Sequence, residues 1–319
     1  MRSRSDQLVA VATLGAFVVV AGVLGLVSIY LGAVTQATSG VQRTASLPDW
    51  DGRPSPQQAD GTRPMRYLVL VTDESGTLAS AYLAQLSGPR NALQLIGLAA
   101  NLLVADAQGR DATLASQFTL GGAQAVRAIE SQLGVRIDHL VLVDLDGFTG
   151  IVDVIGGVTV HNRMEMAAEG WHFNAGELRL NGAEALIYLS SPNQTMARLE
   201  RTEAVFVEII RGLIGGDALT NPTKVEAIGE VLHSCVVVDA ALTAGEIRRM
   251  ALDMHLTGDS IQAIPLPLAG ASDLDGERVV VADPDRLKTL SDALQNDQVA
   301  AWAAVQPQPW GHLQELPPR

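Results

Sequence analysis

Cysteine occurs once in 319 residues, at Cys235, which excludes an intrachain disulfide and any zinc site built on paired thiolates. Set in the apolar run Ser234-Cys-Val-Val-Val238, it reads as a buried core thiol and not as a nucleophile. Basic side chains are also in short supply: 22 Lys and Arg stand against 35 Asp and Glu, a formal net charge of −13. That balance argues against nucleic acid as a partner and against diffuse capture of polyanionic polymers, so a phosphate ligand would need a local basic cluster. The usual catalytic words are missing too. There is no Walker A loop, no GxGxxG after a strand, no GxSxG elbow and no HExxH. The six histidines, His139, His161, His172, His233, His255 and His312, are scattered without metal-ligand spacing.

What the chain has in quantity is apolar length near its start. From Leu8 to Val34 it carries neither charge nor proline and is dense in Val, Leu, Ala and Gly. At about 1.5 Å of rise per residue this stretch exceeds a hydrocarbon core of roughly 30 Å and spans it with some tilt. Arg2 and Arg4 lie just before it, whereas the next basic residue behind it is Arg43. The positive-inside rule therefore puts residues 1–7 in the cytoplasm, makes 8–34 a single transmembrane helix and leaves the remainder outside the cell membrane. A cleaved signal peptide is the alternative, since Thr35-Gln-Ala37 loosely resembles a cleavage site, but signal h-regions run only about 7 to 15 residues. With Arg2, Arg4 and Asp6 inside, the exterior part keeps 20 basic and 34 acidic residues.

Residues 35–65 are rich in Ser, Thr, Gln, Pro, Gly and Asp and read as a flexible stalk. Residues 66–298 read as one extracytoplasmic domain, and 299–319 as a proline-rich tail. Arg66 to Thr72 is a buried strand ending in the turn Asp73-Glu-Ser-Gly76. Ser80–Leu86 and Ala92–Leu98, joined through Gly88-Pro89, form an antiparallel hairpin. Gly122–Leu133 is an amphipathic helix closed by Gly134. Ile137–Val143 is a strand, Asp144 or Asp146 caps a helix ended by Gly156-Gly157, and Val158–Val160 is a short strand leading into a polar loop at Glu165 to Trp171. Asn181–Tyr188 and Ala197–Leu213 read as helices. Asn221-Pro222 opens another, Thr243 and Glu246 form a capping box, and Asp283-Pro284 starts the last helix. Strands fall near Ile261–Leu266 and Arg278–Val281. Because strands and helices interleave without a strict βαβ repeat, the expected fold is α/β, a mixed sheet flanked by helices.

One order of words goes further. Leu120-Gly-Gly-Ala-Gln-Ala-Val-Arg-Ala-Ile-Glu-Ser-Gln-Leu-Gly134 is followed by Ile137-Asp-His, Val143-Asp-Leu-Asp-Gly-Phe148 and Val152-Asp-Val-Ile-Gly-Gly-Val-Thr-Val160. Leu180-Asn-Gly-Ala-Glu-Ala-Leu-Ile-Tyr188 and Arg198-Leu-Glu-Arg201 complete the series. This order resembles the LytR-CpsA-Psr (LCP) family over roughly Tyr67 to Gln295. The resemblance implies a membrane-anchored protein of the cell envelope. Its relatives transfer glycopolymers from an undecaprenyl-pyrophosphate carrier to peptidoglycan, using a hydrophobic prenyl pocket, a divalent cation such as Mg²⁺, and arginines and aspartates around the pyrophosphate. A diphosphate leaving group develops charge that such groups must neutralise.

By the same resemblance Asp73 corresponds to a metal-side aspartate, Arg198 to a catalytic arginine, and Arg201 lies beside it in the same motif. Read without the family, Asp73 is a turn-forming aspartate and the two arginines are a helix face paired with Glu200, Glu203 or Glu208. Trp171, Met164 and Met166 line a lipid entrance or simply pack a loop. Elsewhere the pattern departs from the family. Its Arg-Ser-Asp-Thr motif falls near Thr77 to Ser80, and its Pro-Arg-Asp motif near Leu98-Ala-Ala-Asn101, both without charge. Its Arg-x-Arg pair is replaced by Ser190 and Pro192, its later aspartate falls near Thr195 and its glutamine near Thr202. The expectation is a catalytically degenerate member that binds polyprenyl lipid or assists active LCP ligases in glycopolymer attachment. The alternatives are an active ligase with a rearranged site drawing on Arg90 or Arg163, and a structural or sensory envelope module without a ligand.

Overall fold

The computed structural model describes residues 42–56, 63–190, 201–202, 204–209, 211–212, 221–256 and 260–306. The apolar span 8–34 lies outside them, as does Arg198. Among the described residues no helix is long and apolar enough to cross a membrane.

The fold grows from strand β2 (Met65–Thr72), whose Arg-Tyr-Leu-Val-Leu-Val run is buried throughout. Alternate side chains of a strand leave on opposite faces, so Tyr67, Val69 and Val71 enter one apolar cluster while Leu68 and Leu70 enter another. Each such side chain is worth about 1.5–3 kcal/mol when buried. Strand β1 (Gln42–Thr44), β3 (Leu78–Leu86), β4 (Leu93–Ala99), β7 (His139–Asp144), β12 (Val236–Asp239) and β13 (Ile261–Pro265) join β2 in one seven-stranded sheet of order β1-β12-β7-β2-β3-β4-β13. The neighbours of β2 are antiparallel β3 and parallel β7, so the sheet is mixed, as expected.

Helices cover both faces. Beyond Leu68 and Leu70 lie α1 (Leu114–Thr119), α2 (Gly122–Leu133), α7 (Pro284–Gln295) and α8 (Val299–Ala304). On the other face are α3 (Leu145–Ile155), α4 (Gly182–Ser190), helical residues 204–209, α5 (Pro222–Cys235) and α6 (Ala244–Asp253). The caps read from the sequence are in place: Gly134 is left-handed at φ 62°, Asn221 accepts from Thr223 N at 3.1 Å, and Thr243 and Glu246 exchange capping bonds.

Helix α3 is the joint of its layer. A Cβ on Gly147 would meet Cys235 Cβ at 2.5 Å, so only glycine allows this approach to the end of α5. At its other end Asp153 accepts from Gly182 N at 2.7 Å and fixes the start of α4. The Asp-Gly-Phe and Leu-Asn-Gly words thus mark packing contacts.

Three expectations are corrected and two further hairpin strands are added. The stalk does not extend to residue 65: β1 pairs in parallel with β12, and Arg53 reaches Glu130 at 3.1 Å with both side chains almost fully buried. Arg53 also lies 4.4 Å over the Trp50 ring, and its Nη2 donates to the Ile137 carbonyl at 3.1 Å. Polar composition hid a segment whose few large groups dock. The polar loop at 165–171 is a hairpin, β9 (Met166–Ala168) and β10 (Trp171–Phe173), packed by Met166 and Phe173. Two further strands, β11 (Gly176–Leu180) and β14 (Leu268–Leu274), complete hairpins with β8 (Val158–Asn162) and β15 (Glu277–Ala282). Asp275 and Gly276, at φ 53° and 87°, make the tight turn of the second. Finally, the tail begins after α8, because Trp302 packs into the core and its indole N–H donates to Thr289 Oγ1 at 2.9 Å. The remaining pair β5 (Leu103–Ala105) and β6 (Asp111–Thr113) leads into α1.

Two buried carboxylates lock the body. Burial pushes the Glu130 carboxyl up, and Arg53 and the Ile137 amide offset this only in part. Replacing Arg53 by Ala strands that carboxylate and should cost about 3 kcal/mol at neutral pH in a denaturant titration. The loss should shrink in acid as Glu130 protonates, and adding Glu130→Gln should recover much of it. At the β7–β12 edge, Asp239 is fully buried, with Oδ2 3.1 Å from His139 Nδ1 and accepting from Leu140 N at 2.9 Å. Burial pushes its carboxyl up, but His139 and the Leu140 and Ala241 amides outweigh this and hold it below the ordinary value. Asp239→Asn should therefore cost about 2–3 kcal/mol above about pH 4, the usual aspartate value, with the deficit closing as pH falls further through the lower folded-state pKa. Thermal melts of both proteins across pH measure this.

Candidate functional site

Three positions singled out by the sequence converge at one end of the sheet. Asp73 follows the last residue of β2, Thr77 to Ser80 open β3, and Leu98 to Asn101 close β4. The antiparallel register sets Val71 against Ser80 and Ser80 against Ala99, so three strands deliver these positions side by side. On the other flank Thr72 pairs with Asp144, the exposed last residue of β7 and a cap candidate for α3 in the sequence.

Asp73 is half-buried and spends Oδ1 on its own turn. That oxygen accepts from Ser75 N at 3.0 Å, Ser75 Oγ at 2.6 Å and Thr77 N at 3.1 Å, while Gly76 N donates to the Asp73 carbonyl at 2.8 Å. This is the turn-forming role, and it also pins the carboxylate in one orientation. Beside it, Leu78, Ala79, Ser80, Leu98 and Ala99 are all buried. The Ser80 hydroxyl, 1% exposed and on the face of Val71 and Tyr82, has no hydrogen-bond partner among the described residues. Asn101 donates through Nδ2 to the Arg278 carbonyl at 2.8 Å.

Arg201 is not a solvated face residue. It is 8% exposed, with its guanidinium 5.6 Å from the Tyr188 ring centroid. Tyr188 donates to Asn162 Oδ1 at 3.3 Å, and Asn162 Nδ2 donates to the carbonyls of Phe173 and Asn174 at 3.2 and 2.8 Å. Phe173 meets Tyr188 edge-on at 5.3 Å. Arg201 is thus a buried cation on an aromatic face, and Asn162 holds the tyrosine that supplies it. Tyr188 is legible as the tyrosine closing the Leu-Asn-Gly helix, whereas Asn162 and Phe173 carry no local signal of their contact with it. Of the expected carboxylate partners, Glu208 pairs with Arg211. Arg198, Pro192 and Thr195 lie outside the described residues, and Ser190 is the last residue of α4.

Arg90 sits in the β3–β4 turn, at the opposite end of the sheet from the β2–β3 turn that holds Asp73. Its Nη1 donates to the carbonyls of Arg63 and Ser87 at 2.8 and 2.9 Å, so it serves the far turn and not the site. Arg163 is exposed between β8 and β9. Met164 and Trp171 are exposed, at 62% and 43%, at the edges of the hairpin face whose centre, Met166, Ala168 and Phe173, is buried.

The donor set limits what a cation could find here. Among the described residues no three His, Cys, Asp or Glu gather around a common point. Mg²⁺ commonly takes one or two carboxylates and fills its shell with substrate phosphates and water. Asp73 fits that use, and does not make a protein-built cage.

The chain aligns with the cell wall biosynthesis protein LcpA of Corynebacterium glutamicum at 28% identity over 172 residues, 51% of this chain and 32% of the relative. It aligns with the polyisoprenyl-teichoic acid–peptidoglycan teichoic acid transferase TagU of Halalkalibacterium halodurans at 30% identity over 139 residues, 41% of this chain and 46% of the relative. The matched region thus spans less than half of either relative. The fold is similar to that of a LytR-Csp2A-Psr enzyme from Actinomyces oris, with a TM-score of 0.62 and 19% identity, over 80% of this chain and 96% of that one. With residues 77–296 matched by its family model, the chain belongs to the LytR_cpsA_psr family.

Proposed function

We propose that this protein is a membrane-anchored cell-envelope member of its family that binds polyprenyl lipid or assists glycopolymer attachment to peptidoglycan without performing the transfer itself. The observation that carries the reading is the end of the sheet at Asp73. The two strand ends at this end of the sheet present Leu78, Ala79, Ser80, Leu98 and Ala99, all buried and none charged. A pyrophosphate leaving group needs donors aimed at its developing charge, and losing even one such donor typically costs about 10²–10³ in rate. Asp73, with Asp144 on the neighbouring strand and no charged side chain at the β3 and β4 ends, offers little to neutralise the charge that transfer would develop. Lipid recognition has no such requirement, since it rests on apolar area.

The named activities of the relatives support the class of partner, a lipid-linked wall polymer. The apolar run 8–34 with Arg2 and Arg4 before it supports the anchor, with the folded domain outside.

Full-length protein extracted in detergent should retain polyprenyl lipid detectable by mass spectrometry. With Mg²⁺ and a prenyl-pyrophosphate analogue it should release no phosphate or pyrophosphate above background. Release that disappears in Arg198→Ala would establish an active ligase instead. The protein should stay with the membrane pellet through alkaline carbonate washing, and deletion of residues 1–34 should move it to the supernatant.

A further inference from the structure

We infer that strand β1 clamps the domain so that the Asp73 end of its sheet is turned toward the bilayer. The inference rests on the anchored reading above and adds to it an orientation, which the pairing register of β1 supplies.

The register is read across four strands. Gln42 lies level with Val237, Val237 with Leu142, and Leu142 with Leu70. Leu70 is two residues short of the end of β2, where Asp73 begins the turn. β1 runs parallel to β12, and β12 runs antiparallel to β7 and hence to β2. Going backward along β1 from Thr44 to Gln42 therefore climbs toward Val71, Thr72 and Asp73. The chain that arrives from the apolar span enters the domain from the Asp73 end.

The tether is short. Between Val34 and Gln42 lie residues 35–41, seven in all. Fully extended they reach about 25 Å. β2 alone, with eight residues, is about 26 Å long. To turn the far end of the sheet toward the lipid, the chain would have to reverse and run back along the sheet, which consumes nearly all of that reach.

Nor can β1 easily peel away to lengthen the tether. The residues that follow it are fixed through the buried Arg53–Glu130 pair, the Trp50 ring beneath Arg53, and Arg127 5.9 Å from the same ring. The end turned toward the lipid carries Asp73 and Glu74 in the β2–β3 turn, with Asp144 and the Arg278 segment against Asn101 beside it.

The test is energy transfer from the full-length protein in liposomes carrying an acceptor dye on the lipid headgroup. Cys235 is buried, so a thiol-reactive donor reports introduced cysteines. Glu74→Cys marks the β2–β3 turn and Pro89→Cys the β3–β4 turn at the opposite end, both exposed. Transfer from position 74 should exceed that from position 89 several-fold. Inserting twenty Gly and Ser residues after Gly40, which leaves β1 intact, should lower transfer from position 74 and narrow the difference. Equal transfer from the two positions, greater transfer from 89, or a difference that survives the insertion unchanged would overturn the orientation. No transfer from either, with the protein in the soluble fraction, would overturn the anchor itself and the orientation with it.

Discussion

Everything in this domain is arranged around β2, which is paired on both edges and buried on both faces. A strand in that position tolerates neither charge on its faces nor a gap in its ladder, and its alternation decides which side chains meet which helix layer. Tyr67, Val69 and Val71 commit one face to α3, α4, α5 and α6, and Leu68 and Leu70 commit the other to α2 and α7. Its two ends are then unlike. The start is locked by polar groups: Arg66 donates to Gln85 and to the Leu294 carbonyl, and Asp138 receives both Arg66 N and Arg63. The finish opens into the Asp73 turn.

That asymmetry bears directly on chemistry. The polar locks sit at the end where Arg63, Arg66 and Arg90 gather, and these arginines are spent on carbonyls and on Asp138 and Gln85. Burial lowers the affinity of Arg66 and Arg90 for their protons, a sign of how fully they have been drawn into the structure. The end that could meet a phosphate has an aspartate engaged with its own turn, next to buried aliphatic and hydroxyl groups. These three arginines therefore serve the end of the sheet opposite Asp73.

Much of the fold was legible because its signals are local. Gly134, Asn221, Thr243 with Glu246, and Asp283 each satisfy amides or carbonyls within a few residues of themselves, so their helix boundaries follow from chemistry that a short window contains. The short strands β9, β10, β11 and β14 were less visible, since three to seven residues with mixed exposure show little periodicity. Asp275-Gly276 was nevertheless a turn signal that could have revealed β14. For the site, the Asp73 turn is legible because its partners Ser75 and Thr77 lie two and four residues away. Arg201 as a buried cation was not visible, because its partner Tyr188 and the Asn162 behind it come from elements up to 39 positions away in the chain.

The sequence by itself determined the alternation of β2, the helix caps, the family order of words and the acidic balance, all of which depend on neighbours in the chain or on composition. Tertiary structure alone decided that residues 42–56 belong to the body, because the Arg53–Glu130 contact joins positions 77 residues apart. It also decided that Asp73, Ser80 and Ala99 share one end of the sheet, and that Arg90 does not. Strand pairing sets those distances, and pairing depends on which long-range partners bury apolar faces together, a choice that no single segment contains.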